Sequence, residues 1–220
     1  DLQEKILKYV ETWHKSNHLV SKDFDKCSPP KRWVLSNNVP DNILNRAHHK
    51  NVYSLKLEGN LANVSVPTSF PDSIKELDLR GAINIPRDLI KKALDAGVEK
   101  INLGYCDLAN VPVPKSLPAS IKELYLSGAR NIPPDLITKA LDAGVEKISL
   151  AGLNLAGVTV PNPLPASIKE LDLSDAGARN IHPDLITNAL KAGVEKINLR
   201  GLNLANVPVP TSLPASIKEL

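Results

Sequence analysis

The chain repeats itself, and the repeat restricts its fold more than any other feature. SIKELDLRGAINIP begins at Ser73, SIKELYLSGARNIP at Ser120 and SIKELDLSDAGARNIH at Ser167, and SIKEL returns at Ser216, at offsets of 47, 47 and 49 residues. Between them lie GVEKINLGYCDLANVPVP from Gly97, GVEKISLAGLNLAGVTVP from Gly144 and GVEKINLRGLNLANVPVP from Gly193. The long period is therefore a pair of related half-units. Their first apolar residues are Val52, Ile74, Val98, Ile121, Val145, Ile168, Val194 and Ile217, at spacings of 22, 24, 23, 24, 23, 26 and 23. Units of this size cannot bury an apolar face alone, so they stack on their neighbours.

Each half-unit opens apolar-x-x-apolar-x-apolar, as in Ile74, Leu77, Leu79 and Val98, Ile101, Leu103. The alternating part predicts a short strand with one face inward. Stacking sets these strands side by side as a parallel sheet. After the strand the two types diverge. One continues NIPPDLITKALDAG from Asn131, where Pro133, Pro134 and Asp135 suit a helix start. Leu136, Ile137, Ala140 and Leu141 keep helical spacing, and Gly144 suits the left-handed residue past the helix end. The other type continues ANVPVPKSLPAS from Ala109, whose alternate prolines exclude a helix and favour extended chain. Helices and extended rungs should thus alternate behind the sheet. Leu, Ile and Val make up 64 of 220 residues and aromatics only 4 %, so the core is aliphatic and intrinsic disorder is excluded.

The first fifty residues carry a worn version of the pattern. Pro40 to Val52 aligns without gaps to Pro86 to Val98, which puts Asn51 at the Gly97 position. Trp33 and Leu35 read as inward residues of a degenerate first strand. Leu2, Ile6, Val10 and Trp13 lie at helical spacing and predict a helix that caps the exposed edge of the first coil. The expected division is a helical cap with the degenerate strand at 1–38 and the repeats over 39–220. The last unit stops inside a strand motif, so fraying is expected after Ser212.

The apolar-x-x-apolar-x-apolar head, eight times in register from Val52, resembles the leucine-rich repeat family. That resemblance implies an α/β fold, a right-handed solenoid. Its curved parallel sheet forms the concave side, and helices alternate with extended segments on the convex side. The Asn that commonly follows the strand stands only at Asn60. Ala82, Cys106, Ala129, Leu153 and Leu202 fill the matching positions, so tightly packed turns without a continuous Asn ladder are expected, with Cys106 buried. The Leu-Pro-Ala-Ser and Asn-Val-Pro-Val-Pro segments are similar to those of bacterial effector leucine-rich repeat proteins delivered into host cells. This resemblance implies a virulence role in the host cytoplasm. Some such effectors place a ubiquitin-ligase domain after the repeats, which here would lie beyond residue 220.

Charge narrows the classes of function. Residues 1–51 hold nine Lys/Arg and six Asp/Glu, while 52–220 hold eighteen of each. Nucleic-acid binding would need a denser basic face. No apolar run approaches the roughly 18 residues that span a membrane. The two cysteines, Cys27 and Cys106, cannot form a disulfide framework and are expected to stay unpaired, which favours a reducing compartment. His14 and His18 stand four apart, with Cys27, His48 and His49 in the same region, but no spacing supports a metal. There is no Gly-rich phosphate loop. No cofactor, small-molecule substrate or catalytic group is expected.

Strand positions two and three alternate in sign along the chain. Glu76, Lys100, Glu123, Lys147, Glu170, Lys196 and Glu219 form one column, and Lys75, Glu99, Lys122, Glu146, Lys169, Glu195 and Lys218 the other. Rungs about 4.8 Å apart turn these into charge ladders that penalise a slip of one coil. What varies between coils is position five (Lys56, Asp78, Asn102, Tyr125, Ser149, Asp172, Asn198) and position seven (Glu58, Arg80, Gly104, Ser127, Ala151, Ser174, Arg200). Exposed Tyr beside Arg suits an interface anchor. The candidate protein-binding residues are Asp78, Arg80, Asn102, Tyr105, Tyr125 and Asp172, with Asp175 and Arg200 at a two-residue insertion read as Asp175-Ala176. The expected function is recognition of a host protein through the concave face. The alternatives are substrate recognition for a larger effector enzyme such as a ubiquitin ligase, and a structural repeat protein without a specific partner.

Overall fold

The computed structural model describes residues 31–36, 39, 41–49, 52–112, 114–155, 157–175, 181–204, 207–208 and 212–220. Eight strands form one parallel sheet and pair in strict chain order. They are β1 (Lys31–Ser36), β2 (Val52–Glu58), β3 (Glu76–Asp78), β4 (Lys100–Asn102), β5 (Glu123–Tyr125), β6 (Lys147–Ser149), β7 (Glu170–Asp172) and β8 (Lys196–Asn198). The register puts repeat position on repeat position: Leu55, Leu77, Ile101, Leu124, Ile148, Leu171 and Ile197 face one another from strand to strand. All seven are buried. A slip of one residue would turn this column out to water. Ladder bonds continue past the short strands, as in Leu103 N–H to the Tyr125 carbonyl at 2.8 Å and Tyr105 N–H to the Ser127 carbonyl at 3.0 Å.

Four helices lie between strands: α1 (Ile43–His49), α2 (Leu89–Asp95), α3 (Pro134–Asp142) and α4 (Pro183–Ala192). α3 and α4 start on a proline and carry an acid in the first turn, where a missing N–H costs nothing and negative charge meets the helix dipole. Gly97, Gly144 and Gly193 follow α2, α3 and α4 with φ of +81°, +66° and +80°. Each alternate connection is extended and proline-rich, as expected. Helix and extended rung are tied together: Lys92 Nζ donates to the Pro67 carbonyl at 2.8 Å, and Asn188 Nδ2 at the equivalent position donates to Pro161 at 3.0 Å. One aliphatic core runs from Trp33 to Ile197 and takes in the inward strand residues and the buried helix faces.

Trp33 and Leu35 are buried in β1, as the degenerate first strand requires. The predicted N-terminal helix, with His14, His18 and Cys27, lies outside the described residues, as do the side chains of His48 and His49. At the other end the pairing reaches Glu219, which bridges to Lys196.

One expectation is refined and one is corrected. First, two separate side-chain pairs join adjacent turns, short of a continuous ladder among the described residues. Asn60 Oδ1 accepts from Ala62 N–H at 3.0 Å and from Asn84 Nδ2 at 3.1 Å. Asp107 Oδ1 likewise accepts from Ala109 N–H at 3.0 Å and Asn131 Nδ2 at 2.9 Å. The first half-unit is one residue shorter before its turn, so counting from the strand start compared Asn60 with Cys106 instead of Asp107. Second, Asp175 is not inserted. Its N–H pairs with the Arg200 carbonyl at 2.8 Å, just as Gly128 N–H pairs with Ala151 at 2.9 Å. The two additional residues therefore follow it, among 176–180, outside the described residues.

Candidate functional site: the open face of the sheet

The outward residues of the strands make a continuous surface across all eight coils. Most are partly or fully exposed, with Ser54, Gly104 and Ser149 buried. The third-position column is an ion-pair ladder. Glu123 sits between Lys100, at 2.9 Å, and Lys147, at 3.9 Å, and Lys147 also reaches Glu170 at 3.4 Å. The ladder ends on Lys196 and Glu219 at 3.6 Å. In the second-position column Lys122 meets Glu99 at 2.8 Å and Lys218 meets Glu195 at 2.6 Å. Burial pushes the Glu123 carboxyl up, but Lys100, the Tyr125 hydroxyl and Lys147 outweigh it and hold the group below its ordinary value. The acids of these pairs are engaged in charge pairing along the sheet.

Position five has a structural task that the sequence did not disclose. Asp78, Asn102, Asp172 and Asn198 each accept, through Oδ1, the backbone N–H two residues on, at 3.0, 3.0, 3.0 and 3.1 Å. These side chains close the end of the strand as an Asx turn does. Asp172 is occupied further: Ser174 Oγ donates to Oδ1 at 2.7 Å and Ser149 Oγ to Oδ2 at 2.9 Å. Three of the candidate binding residues are thus partly consumed by the fold. Tyr125 is different. Its hydroxyl donates to Glu123 at 2.8 Å, its ring carries Lys100 at 5.4 Å, and burial followed by the Glu123 contact raises its pKa.

The eighth position supplies the feature that sequence reasoning missed. Every described residue there has left-handed backbone, with φ between +49° and +88°: Gly59, Gly81, Tyr105, Gly128, Gly152, Asp175 and Gly201. Glycine takes this conformation freely, whereas other residues pay roughly 1–2 kcal/mol. The column of glycines was in the sequence as a signal, and Tyr105 and Asp175 are its two departures. Tyr105 is 55 % exposed. Its ring lies over Gly128, where an added Cβ would come within 2.8 Å of Cε1. The Arg80 guanidinium covers the ring at 5.0 Å from its centroid. Asp175 lies against Gly201 in the same manner, and Arg200 meets it through backbone only among the described contacts.

A cleft of about 250 Å³ between the start of α3 and the turn at Gly152–Val158 is lined by Ala129, Asn131, Ile132, Leu153 and Asn154 among others, none of them titratable. Among the described residues no group of His, Cys, Asp and Glu could hold a metal, and no helix is long and apolar enough to cross a membrane. Cys106 is a free, buried thiol whose Sγ donates to the Leu79 carbonyl at 2.9 Å. Compared with protein-family models, curated proteins and solved structures, the chain gives no match.

Proposed function

We propose that the chain is a leucine-rich-repeat solenoid, closed at its N-terminus by a helical cap, that recognises another protein on the open face of its sheet. The observation that carries this reading is one face that no described element covers, on which residues vary from coil to coil over a constant framework. Interfaces favour Tyr and Arg, and this face carries Arg80 stacked on the exposed Tyr105, with the half-buried Tyr125 under Lys100. Stacked repeats offer a long surface of this kind without an enclosed pocket. A free buried thiol fits a reducing compartment such as a host cytoplasm.

The test uses two blocked variants of the whole chain. Ser127→Arg places a large cation in the middle of the face, while Asp142→Arg at the end of α3 leaves the face untouched. A partner captured by the unmodified chain should be lost to the first and kept by the second. Retention by Ser127→Arg, or loss to both variants despite unchanged folding, contradicts the reading.

A further inference from the structure

The four residues Arg80, Gly104, Tyr105 and Gly128 form a preassembled unit across three coils. A Cβ at Gly104 would lie 3.2 Å from Asn102 Oδ1 and from the Ser127 carbonyl and 3.7 Å from Arg80 Cγ. Its absence lets the Arg80 stem cross the coil. The guanidinium then rests on the Tyr105 ring, and the ring rests on Gly128. Stacking of this kind fixes the plane of a guanidinium and leaves its edge donors pointing to solvent.

Arg80 is exposed, and no described acid stands within ion-pair distance of it. The two acids closest in the pattern are already engaged. Glu58, one coil back in the same column, is held by Lys56 at 2.6 Å and by Ser36 at 2.5 Å. Asp78 spends Oδ1 on the Arg80 N–H. The Arg80 charge is therefore oriented and has no acidic partner among the described residues, and the coil keeps a strained backbone at Tyr105, with φ of +61°, under the ring.

Resting on the reading of the open face as a protein-binding surface, we infer that Arg80 on Tyr105 is the anchor for a carboxylate of an extended partner peptide. A fork of donors in a fixed plane matches a carboxylate in two parallel hydrogen bonds. Beyond Gly104 the same column carries Ser127, Ala151 and Ser174, so a peptide backbone can lie close against the sheet beside the anchor.

The experiment selects peptides from an unbiased display library on the whole 220-residue chain and measures the winners by fluorescence anisotropy. Selected peptides should share an Asp, a Glu or a free C-terminal carboxylate. Converting that carboxylate to the amide should weaken binding about tenfold on the unmodified chain. The same conversion should cost less than about twofold on Arg80→Gln, whose removal of the fork leaves nothing for the carboxylate to lose. Arg80→Lys keeps the charge without the fork and should not restore the affinity. Tyr105→Gly keeps the left-handed backbone and should weaken the acidic peptides as well. Failure to select any binder, absence of an acidic position, or equal losses on Arg80→Gln and the unmodified chain overturns the inference. Peptides blocked by Ser127→Arg but indifferent to Arg80→Gln overturn it while the open-face reading stands. Peptides that survive Ser127→Arg overturn that reading too.

Discussion

At the scale of single residues, the eighth position shows how a repeat accommodates a departure from its own pattern. Gly81 and Gly128 share the same backbone, but a Cβ at Gly81 meets nothing within 4 Å, whereas at Gly128 it runs into the Tyr105 ring at 2.8 Å. Gly81→Ala should cost about 1 kcal/mol of backbone strain. Gly128→Ala should cost about 1 kcal/mol more, for the displaced ring. Measured against Tyr105→Gly as the parent, Gly128→Ala should cost only what Gly81→Ala costs, read from urea midpoints; an unchanged loss would show that the ring is not in contact. Cys106 gives a second residue-scale expectation. Burial pushes its thiol from the ordinary 9.0 to about 11. The folded chain keeps this proton where the unfolded chain has lost it, so stability should fall as pH rises from about 9 to about 11. Cys106→Ala should lack that slope. Native labelling of Cys106 by an alkylating reagent at pH 8 would contradict the burial. Residue identity alone disclosed part of this: Cys106 was legible as a small buried residue. The roles of Asp78, Asn102 and Asp172 were not, because an exposed polar strand residue looks the same whether it binds a partner or its own chain.

At the scale of elements, two cross-links hold neighbouring units in step. Asn188 in α4 is buried and donates to the Pro161 carbonyl, while Lys92 does the equivalent in α2. Asn188→Ala removes the donor and leaves a carbonyl unpaired, at a cost of about 1–3 kcal/mol. Asn188→Lys should recover most of it, since Lys92 already does this work two repeats earlier; no recovery in the urea midpoint would show that the contact is incidental. The ion-pair ladder acts on register. Glu123→Lys would set three lysines in a row at 100, 123 and 147 and should cost about 1 kcal/mol, reduced in 1 M salt. A loss unaffected by salt would deny the ladder an electrostatic role. Strands, helices and extended rungs were legible because every half-unit repeats the same spacing. The two side-chain pairs between turns were not legible because one missing residue before the Asn60 turn shifted the count. A search for the Asn-Leu-Ala and Asp-Leu-Ala triplets at Asn60 and Asp107 would have found them.

At the scale of the whole molecule, a parallel sheet built in chain order must cover one face and can leave the other free. The covered face takes the helices and proline-rich rungs, because the repeat places its Leu, Ile and Val there. The free face is left to polar residues whose identity changes between coils, and most of them serve the fold. The proposed recognition rests on Arg80 and Tyr105, with Tyr125 on the same face. Their strand positions were legible in the sequence, but the stacking depends on Gly104 and Gly128, on adjacent coils that only the fold brings together. Hydroxyl-radical footprinting of the chain with and without a captured partner tests recognition by the open face most directly. Tyr105 and Tyr125 should lose reactivity on binding, while exposed Ile83 and the helix residues Lys91 and Asp142 keep theirs. Protection on the helices with both tyrosines unchanged would contradict it.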